Sequence, residues 1–179
     1  KVEVLLVKNT TQVTKELIDA CPSLKIIGKG GESMDNIDVE YAKSKGIHII
    51  NTPNAFAKSV AELVFAHFLT LIRFLHDSNR NMPLEGDTKF AFLKKSYEKA
   101  TELSGKTLGI IGFGKIGKEV AKIGIGLGMK IIFYTRKPKT DTVSLEFFDG
   151  RTIDFEFTST NDMEAFLKEA DFISINTSE

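Results

Sequence analysis

The chain has 179 residues, 42% of them hydrophobic and 27% charged, which is typical of a globular protein with a packed core. Lys plus Arg and Asp plus Glu both number 24, so no overall basic field exists to attract nucleic acid or anionic membranes. The single cysteine, Cys21, excludes an intrachain disulfide; it is predicted to be a buried small hydrophobe in a reducing cytoplasm.

No targeting or membrane-spanning segment is predicted. Residues 2–7 form a strand-like run rather than the basic and then apolar layout of a signal peptide. The longest mostly apolar stretch, residues 60–75, is interrupted by Glu62, His67 and Arg73. The sequence therefore predicts a cytoplasmic protein that binds neither nucleic acid nor membranes.

The first fifty residues alternate between strand and helix patterns. Strands are predicted at residues 2–7, 25–28 and 47–50, with helices at 14–20 and 38–45. Gly46 should close the second helix in a left-handed conformation. This alternation predicts parallel β-α-β units and an open sheet covered on both faces.

A long helix is predicted over residues 60–82. Ser59 and Glu62 match a capping box, with Ser59 as the N-cap, and Pro83 is expected to end the helix. Its circumference is mostly apolar, a pattern typical of a helix between two packed bodies. We expect it to connect two domains and to offer a subunit contact.

The second half returns to alternating elements. Helices are predicted at residues 90–102, 117–127 and 163–169, and strands at residues 108–111, 131–134 and 172–176. Gly128 should close the helix at 117–127. Asp149-Gly150 lies between two alternating runs and predicts a hairpin on the edge of the second domain.

Residues 112–117, Gly-Phe-Gly-Lys-Ile-Gly, lie between a strand and a helix and form a dinucleotide fingerprint. Gly112 permits a tight turn, Gly114 lets the backbone approach a pyrophosphate, and Gly117 lets helix and strand pack closely. The helix N-terminus offers N–H groups and a partial positive charge to the phosphates. The sequence predicts a bound NAD or NADP; the alternative is a glycine-rich turn without a ligand.

The end of the next strand bears on the choice of cofactor. A carboxylate there would bind the ribose hydroxyls of NAD and repel the 2′-phosphate of NADP. This chain has Thr135 and Arg136, and no acidic residue precedes Asp141. Arg136 could pair with a 2′-phosphate, with Lys137 or Lys139 adding charge, unless these side chains only face water. The pattern favours NADP over NAD.

The histidines do not indicate catalysis or metal binding. His67 and His76 are nine residues apart in the long helix, too far for a metal pair, and His48 lies among isoleucines. Packing or hydrogen bonding is expected for each. No metal site and no catalytic set is predicted within the chain.

Five segments, residues 24–28, 34–38, 50–53, 59–62 and 103–114, resemble the D-isomer-specific 2-hydroxyacid dehydrogenases. Within that family they are most similar to the D-3-phosphoglycerate dehydrogenases of serine biosynthesis. The resemblance implies an α/β fold of two doubly wound parallel-sheet domains, both incomplete, and a homodimer. Residues 1–57 would be a flavodoxin-like substrate domain and residues 58–179 a Rossmann dinucleotide-binding domain.

The resemblance also assigns contacts to the cofactor. Lys115 and Ile116 would lie over the pyrophosphate, and Thr135 would meet the adenine ribose. The cofactor would occupy the cleft between the two domains.

On the substrate side, the resemblance places the loop Gly31, Glu32 and Ser33 near the substrate carboxylate and the nicotinamide. Lys8 and Asn9 stand where phosphoglycerate enzymes often have an arginine and a serine. The Glu32-Ser33 pair departs from the family, which usually has a small residue followed by glycine. An anionic side chain beside an anionic substrate would be unfavourable unless it points away.

The family's catalytic arginine, glutamate and histidine are expected downstream of Glu179, so the chain resembles an internal part of a longer enzyme. The implied reaction is hydride transfer between the C2 atom of a 2-hydroxy or 2-oxo acid, most notably 3-phosphoglycerate, and the nicotinamide. An NADPH-dependent glyoxylate or hydroxypyruvate reductase is an alternative, favoured by Thr135-Arg136 and by Lys8 in place of an arginine. A third alternative is a non-catalytic dinucleotide-binding scaffold resembling the C-terminal-binding-protein corepressors.

Overall fold

The computed structural model describes residues 1–177 and divides the chain into two compact units, Lys1–Phe56 and Ala57–Glu179. The first unit runs β1 (Val4–Val7), α1 (Lys15–Asp19), β2 (Ile26–Lys29), α2 (Val39–Ser44) and β3 (His48–Asn51). Its strands are parallel and lie in the order β1-β2-β3. The predicted β-α-β alternation is confirmed, and Gly46 has the expected positive φ of 74°.

Within the described residues, only one face of the first sheet is covered. Ile27 and Val7 are buried in a core with residues of α1 and α2, whereas Val4, Leu6 and Ile50 on the other face are exposed. The chain crosses from β1 to β2 and from β2 to β3 in the same direction. Right-handed crossovers therefore place both helices on one face, so the described residues cover one of the two faces that the sequence predicts to be covered.

The second unit begins with two helices, α3 (Ala57–Ile72) and α4 (Leu75–Ser96), followed by a 3₁₀ turn at Tyr97–Lys99. The rest comprises β4 (Thr107–Ile111), α5 (Lys115–Gly126), β5 (Lys130–Tyr134), β6 (Thr140–Glu146), β7 (Thr152–Thr158), α6 (Met163–Glu169) and β8 (Phe172–Ile175). The parallel sheet has the order β5-β4-β8. The α/β class with parallel sheets is confirmed.

The second sheet is covered on both faces because its strand order reverses at β4. A Cβ added to Gly124 of α5 would lie 3.0 Å from Leu108, whereas one added to Gly109 would lie 2.6 Å from Phe166 of α6. Leu108 and Gly109 are neighbours in β4 and point to opposite faces. The two helices therefore enclose the sheet, with β4 at its centre.

The prediction of one helix over residues 60–82 is wrong. Helix α3 begins at Ala57, so Ser59 lies inside the helix and not at its N-cap, and α4 continues through Pro83. The break falls at Phe74, which is left-handed (φ 54°, ψ 34°) and stacks on Tyr97 with ring centroids 5.9 Å apart. Pro83 and Asn79 are both exposed, so water can satisfy the carbonyl that proline leaves without an N–H partner.

Smaller expectations have mixed outcomes. His48, His67 and His76 are all exposed, so none of them packs in a core, and hydrogen bonding stays the prediction for them. Cys21 packs against the first core but is half-buried rather than fully buried as predicted. No single helix within residues 1–177 is long and apolar enough to cross a membrane; α3 and α4, bent by 53°, pass that test only as a pair.

The predicted hairpin is confirmed. Strands β6 and β7 pair antiparallel around the Asp149-Gly150 turn, where Gly150 has a φ of 82°. Strand β6 packs against α5 and β7 against β5. After the hairpin, Thr160 forms a parallel bridge with Tyr134 at the end of β5. The hairpin therefore connects two parallel segments, a connection that usually contains a helix.

Candidate functional site

The fingerprint turn joins β4 to α5 at Gly112, whose φ of 89° is one that residues with a side chain rarely adopt. A Cβ on Gly112 would lie 2.7 Å from the backbone carbonyl of Asn176, which follows β8. The turn thus lies against the end of the neighbouring strand. Only glycine fits both the conformation and the space.

Gly114 is the exposed N-cap of α5, and as a glycine it has no side chain that could donate or accept a capping hydrogen bond. A Cβ added to it would meet no protein atom within 4 Å, so the space in front of it is open. The first N–H groups of an α-helix have no partner within the helix, and the helix dipole is positive there. This end of α5 can therefore accept an anion at close range.

Gly117 lies buried one turn into α5. A Cβ there would overlap the carbonyl oxygen of Gly112 and lie 3.2 Å from the Ile110 side chain. Its hydrogen lets the helix pack directly on the turn, as the spacing predicts. Lys115 is exposed and Ile116 half-buried in the same first turn.

The end of β5 is tied to the base of the hairpin. The Thr135 hydroxyl lies 2.8 Å from the Lys137 carbonyl and 2.6 Å from the Ser159 hydroxyl, so it donates to the first and accepts from the second. The Lys139 N–H donates to the same Ser159 oxygen at 2.9 Å. Arg136, between these anchored residues, is exposed.

A charged cluster at the start of the hairpin was not predicted from the sequence. The Asp141 carboxylate accepts hydrogen bonds from the ammonium groups of Lys118 of α5, at 2.5 Å, and of Lys139, at 2.9 Å. Burial would raise the pKa of Asp141, but the hydrogen bonds from the two lysines outweigh it and hold that pKa below its ordinary value. Asp141 is therefore ionised at neutral pH.

In the first unit, the loop of Gly31, Glu32 and Ser33 is held by residues that follow β3. The Gly31 N–H donates to the Thr52 hydroxyl at 3.0 Å, and the Asn51 amide donates to the Glu32 carbonyl at 3.1 Å. Gly31 is buried with a φ of 134°, whereas Glu32 and Ser33 are exposed. The loop is thus held by its backbone.

A buried lysine and asparagine connect this loop with the other predicted substrate residues. Lys29 is 3% exposed, Asn36 is 7% exposed, and the lysine ammonium donates to the Asn36 side-chain oxygen. The Asn36 NH2 group donates to the carbonyls of Lys8 at 2.9 Å and Thr11 at 2.5 Å. The side chains of Lys8 and Asn9 are exposed.

The Lys29–Asn36 pair was missed although one signal was present. Lys29 follows Ile27 by two residues and therefore shares its buried face of β2. A polar residue at such a position requires a partner, but the sequence does not show that the partner is Asn36.

Residues 1–179 match the family model of the D-isomer specific 2-hydroxyacid dehydrogenase, catalytic domain. The chain belongs to this family. Its relatives include a hydroxypyruvate reductase of Thermotoga maritima, 43% identical over 98% of this chain and 51% of that protein. A D-3-phosphoglycerate dehydrogenase of Methanocaldococcus jannaschii is 35% identical over 97% of this chain and 30% of that protein.

Solved structures agree with the family assignment. The D-lactate dehydrogenase of Aquifex aeolicus, in complex with NAD and lactic acid, has a TM-score of 0.65 and 31% identity. The match covers 99% of this chain and 48% of that one. The chain thus spans about half the length of this structure and of the Thermotoga relative.

The structure groups the predicted residues into two sets. In the second unit, Gly112, Gly114 and Gly117 surround the start of α5, and Thr135 follows the adjacent strand. In the first unit, the Asn36 amide donates to the Lys8 carbonyl and the Thr52 hydroxyl accepts from the Gly31 N–H, so a side-chain group holds the backbone of each predicted substrate segment. Among residues 1–177, no group of three His, Cys, Asp or Glu side chains is placed to hold a metal ion. The ligand contacts of the predicted residues stay a prediction.

Proposed function

We propose that this chain forms the cofactor-binding part and one wall of the substrate cleft of a nicotinamide-dependent D-2-hydroxyacid dehydrogenase. The observation that carries the proposal is the open N-terminus of α5 at Gly114, directly after β4. Because β5 and β8 flank β4, this point is where the strand order reverses, and dinucleotides bind at such switch points. The domain assignments 1–57 and 58–179 belong to this proposal.

The chain's own residues would bind and orient the reactants. The first turn of α5, with Lys115 and Ile116, would hold the pyrophosphate, and the end of β5 would hold the adenine ribose. The loop Gly31, Glu32 and Ser33 would face the substrate carboxylate. When bound, the nicotinamide supplies hydride chemistry, while the residues that transfer the proton are predicted to follow Glu179.

For the substrate we propose 3-phosphoglycerate. Lys8 replaces the arginine that phosphoglycerate enzymes often have, but its exposed ammonium can still pair with a phosphate as a point charge. It follows Val7, whose carbonyl accepts from the Gly30 N–H at 3.1 Å, next to the proposed substrate loop. A hydroxypyruvate or glyoxylate reductase is the second candidate, supported by the relative of 43% identity. Both candidates use a small anionic 2-hydroxy or 2-oxo acid.

The test has two steps. Titration of this chain with NADH and NADPH, followed by cofactor fluorescence, should show saturable binding of at least one of them. Steady-state assays of the full-length protein with 3-phosphoglycerate, hydroxypyruvate and glyoxylate then rank the substrates by kcat/KM. Binding without turnover of any 2-hydroxy acid would favour the scaffold alternative, and absence of binding would contradict the proposal.

We propose further that Arg136 favours NADP. Its exposed guanidinium can form charge-assisted hydrogen bonds to a 2′-phosphate. We expect Arg136→Ala to weaken NADPH binding about tenfold, equivalent to about 1.4 kcal/mol, and to change NADH binding less than about twofold. Fluorescence titration of both cofactors measures this, and an equal loss for both would contradict it. Arg151→Ala is the matched control, because it removes an exposed arginine that pairs with Asp149 at the hairpin turn.

We also propose a homodimer formed through α3 and α4. Both helices carry large apolar side chains exposed to solvent, such as Leu71 at 73% and Leu84 at 80%. The double variant Leu71→Asp with Leu84→Asp should therefore be monomeric, whereas the parent chain should be dimeric. Light scattering after size-exclusion chromatography gives the mass of each. Leu6→Asp, at 78% exposure in the first unit, is the control; a dimer in the double variant would contradict this interface.

A further inference from the structure

One carboxylate at the start of the hairpin binds two ammonium groups. Lys118 lies on α5 and Lys139 precedes β6, and both donate to Asp141. The Asp141 side chain is 20% exposed, compared with 36% for Lys118 and 46% for Lys139. The carboxylate therefore neutralises only one of two positive charges, and the lysines remain accessible.

The cluster lies between the two landmarks of the proposed cofactor site. Lys118 belongs to the first turn of α5, where its N–H donates to the Gly114 carbonyl at 2.9 Å. On the other side, Lys139 and Thr135 bond the same Ser159 hydroxyl. The cluster thus joins the helix end proposed for the pyrophosphate to the strand end proposed for the adenine ribose.

From this placement we infer that Asp141 is a specificity-determining residue that opposes binding of a 2′-phosphate to Lys118 and Lys139. The inference rests on the proposed cofactor site and adds the residue that sets its selectivity. A 2′-phosphate carries between one and two negative charges near neutral pH, so it is attracted by the lysines and repelled by the carboxylate. NAD has a hydroxyl group in the same place and is nearly unaffected.

The hairpin thus has a role that the sequence did not suggest, because it carries the carboxylate that opposes the 2′-phosphate. The acidic residue that selects NAD usually ends the strand, where this chain has Thr135. Asp141 reaches the same region from the first strand of the hairpin, which packs on α5. Arg136 attracts the 2′-phosphate and Asp141 opposes it, so the two residues set the preference together.

The test is Asp141→Asn in the full chain, with NADH and NADPH affinities measured by fluorescence titration at low salt. Loss of the negative charge should tighten NADPH binding about tenfold, whereas NADH binding should change less than about threefold. The gain should shrink in high salt, because screening weakens the charge interactions. Adding Lys118→Met to the variant should remove most of the gain.

Glu169→Gln provides the matched control. Glu169 pairs with Lys130 at 2.6 Å in the same unit, so the variant removes an equal charge from another ion pair. It should leave the ratio of the two affinities unchanged. A purely structural role of Asp141 would alter the melting temperature but not this ratio.

The outcomes separate the inference from the proposed function. If the parent chain binds neither cofactor, the proposed function is contradicted. If it binds a cofactor and Asp141→Asn leaves the affinity ratio unchanged, the inference is overturned. Should the Asn variant fail to fold, Asp141→Ser, which also removes the charge, decides by the same ratio.

Discussion

Gly114→Val is expected to weaken dinucleotide binding by about a hundredfold or more, equivalent to about 2.7 kcal/mol. The glycine is exposed, and an added Cβ meets no protein atom within 4 Å, so the valine side chain would fill the space proposed for the pyrophosphate. Its φ of −88° suits any residue. The free energy of unfolding should fall by only about 1 kcal/mol, because valine is a poorer N-cap than glycine.

Two other glycines of α5 serve as controls for that variant. Gly126 is also exposed with no protein atom within 4 Å of an added Cβ, but it lies at the other end of the helix. Gly126→Val should therefore leave binding unchanged. Gly117→Val should lower both affinity and stability, since its side chain would overlap the Gly112 carbonyl. Unchanged calorimetric affinity in Gly114→Val would show that the pyrophosphate does not lie at this helix end.

Asn36→Ala is expected to reduce the free energy of unfolding by roughly 2–3 kcal/mol. The change removes the oxygen that accepts from Lys29, leaving a cation in a side chain that is only 3% exposed. It also removes the donors to the Lys8 and Thr11 carbonyls. Urea denaturation followed by circular dichroism measures the loss, and hydrogen exchange at residues 8–11 should rise.

The controls distinguish a buried charge from general disruption. Asn81→Ala removes an exposed asparagine that contacts the Tyr97 hydroxyl at 3.3 Å, and should change the free energy of unfolding by less than about 0.5 kcal/mol. Adding Lys29→Met to Asn36→Ala should recover part of the loss, because the unpaired charge is then absent. A double variant less stable than Asn36→Ala would contradict this explanation.

Much of the candidate site was predictable because its signals are local. The fingerprint glycines all lie within six residues, 112–117, and their roles in the turn and in helix packing follow from their spacing. The hairpin was predictable for the same reason, since the adjacent residues Asp149 and Gly150 favour a tight turn between two antiparallel strands. The Lys118–Asp141 and Lys29–Asn36 contacts join different elements, and sequence spacing does not reveal such contacts.

The sequence by itself determined the alternation of strands and helices on either side of α3 and α4, where the glycine turns fall, and the family. It also predicted the residues proposed to meet a dinucleotide. Only the tertiary structure decided that Pro83 stays inside α4, because solvent exposure of its surroundings decides whether a helix tolerates proline. Strand order likewise decided that the described helices cover one face of the first sheet and both faces of the second. Asp141 gained its place beside the proposed ribose site because the hairpin packs on α5, a long-range contact that local patterns do not encode.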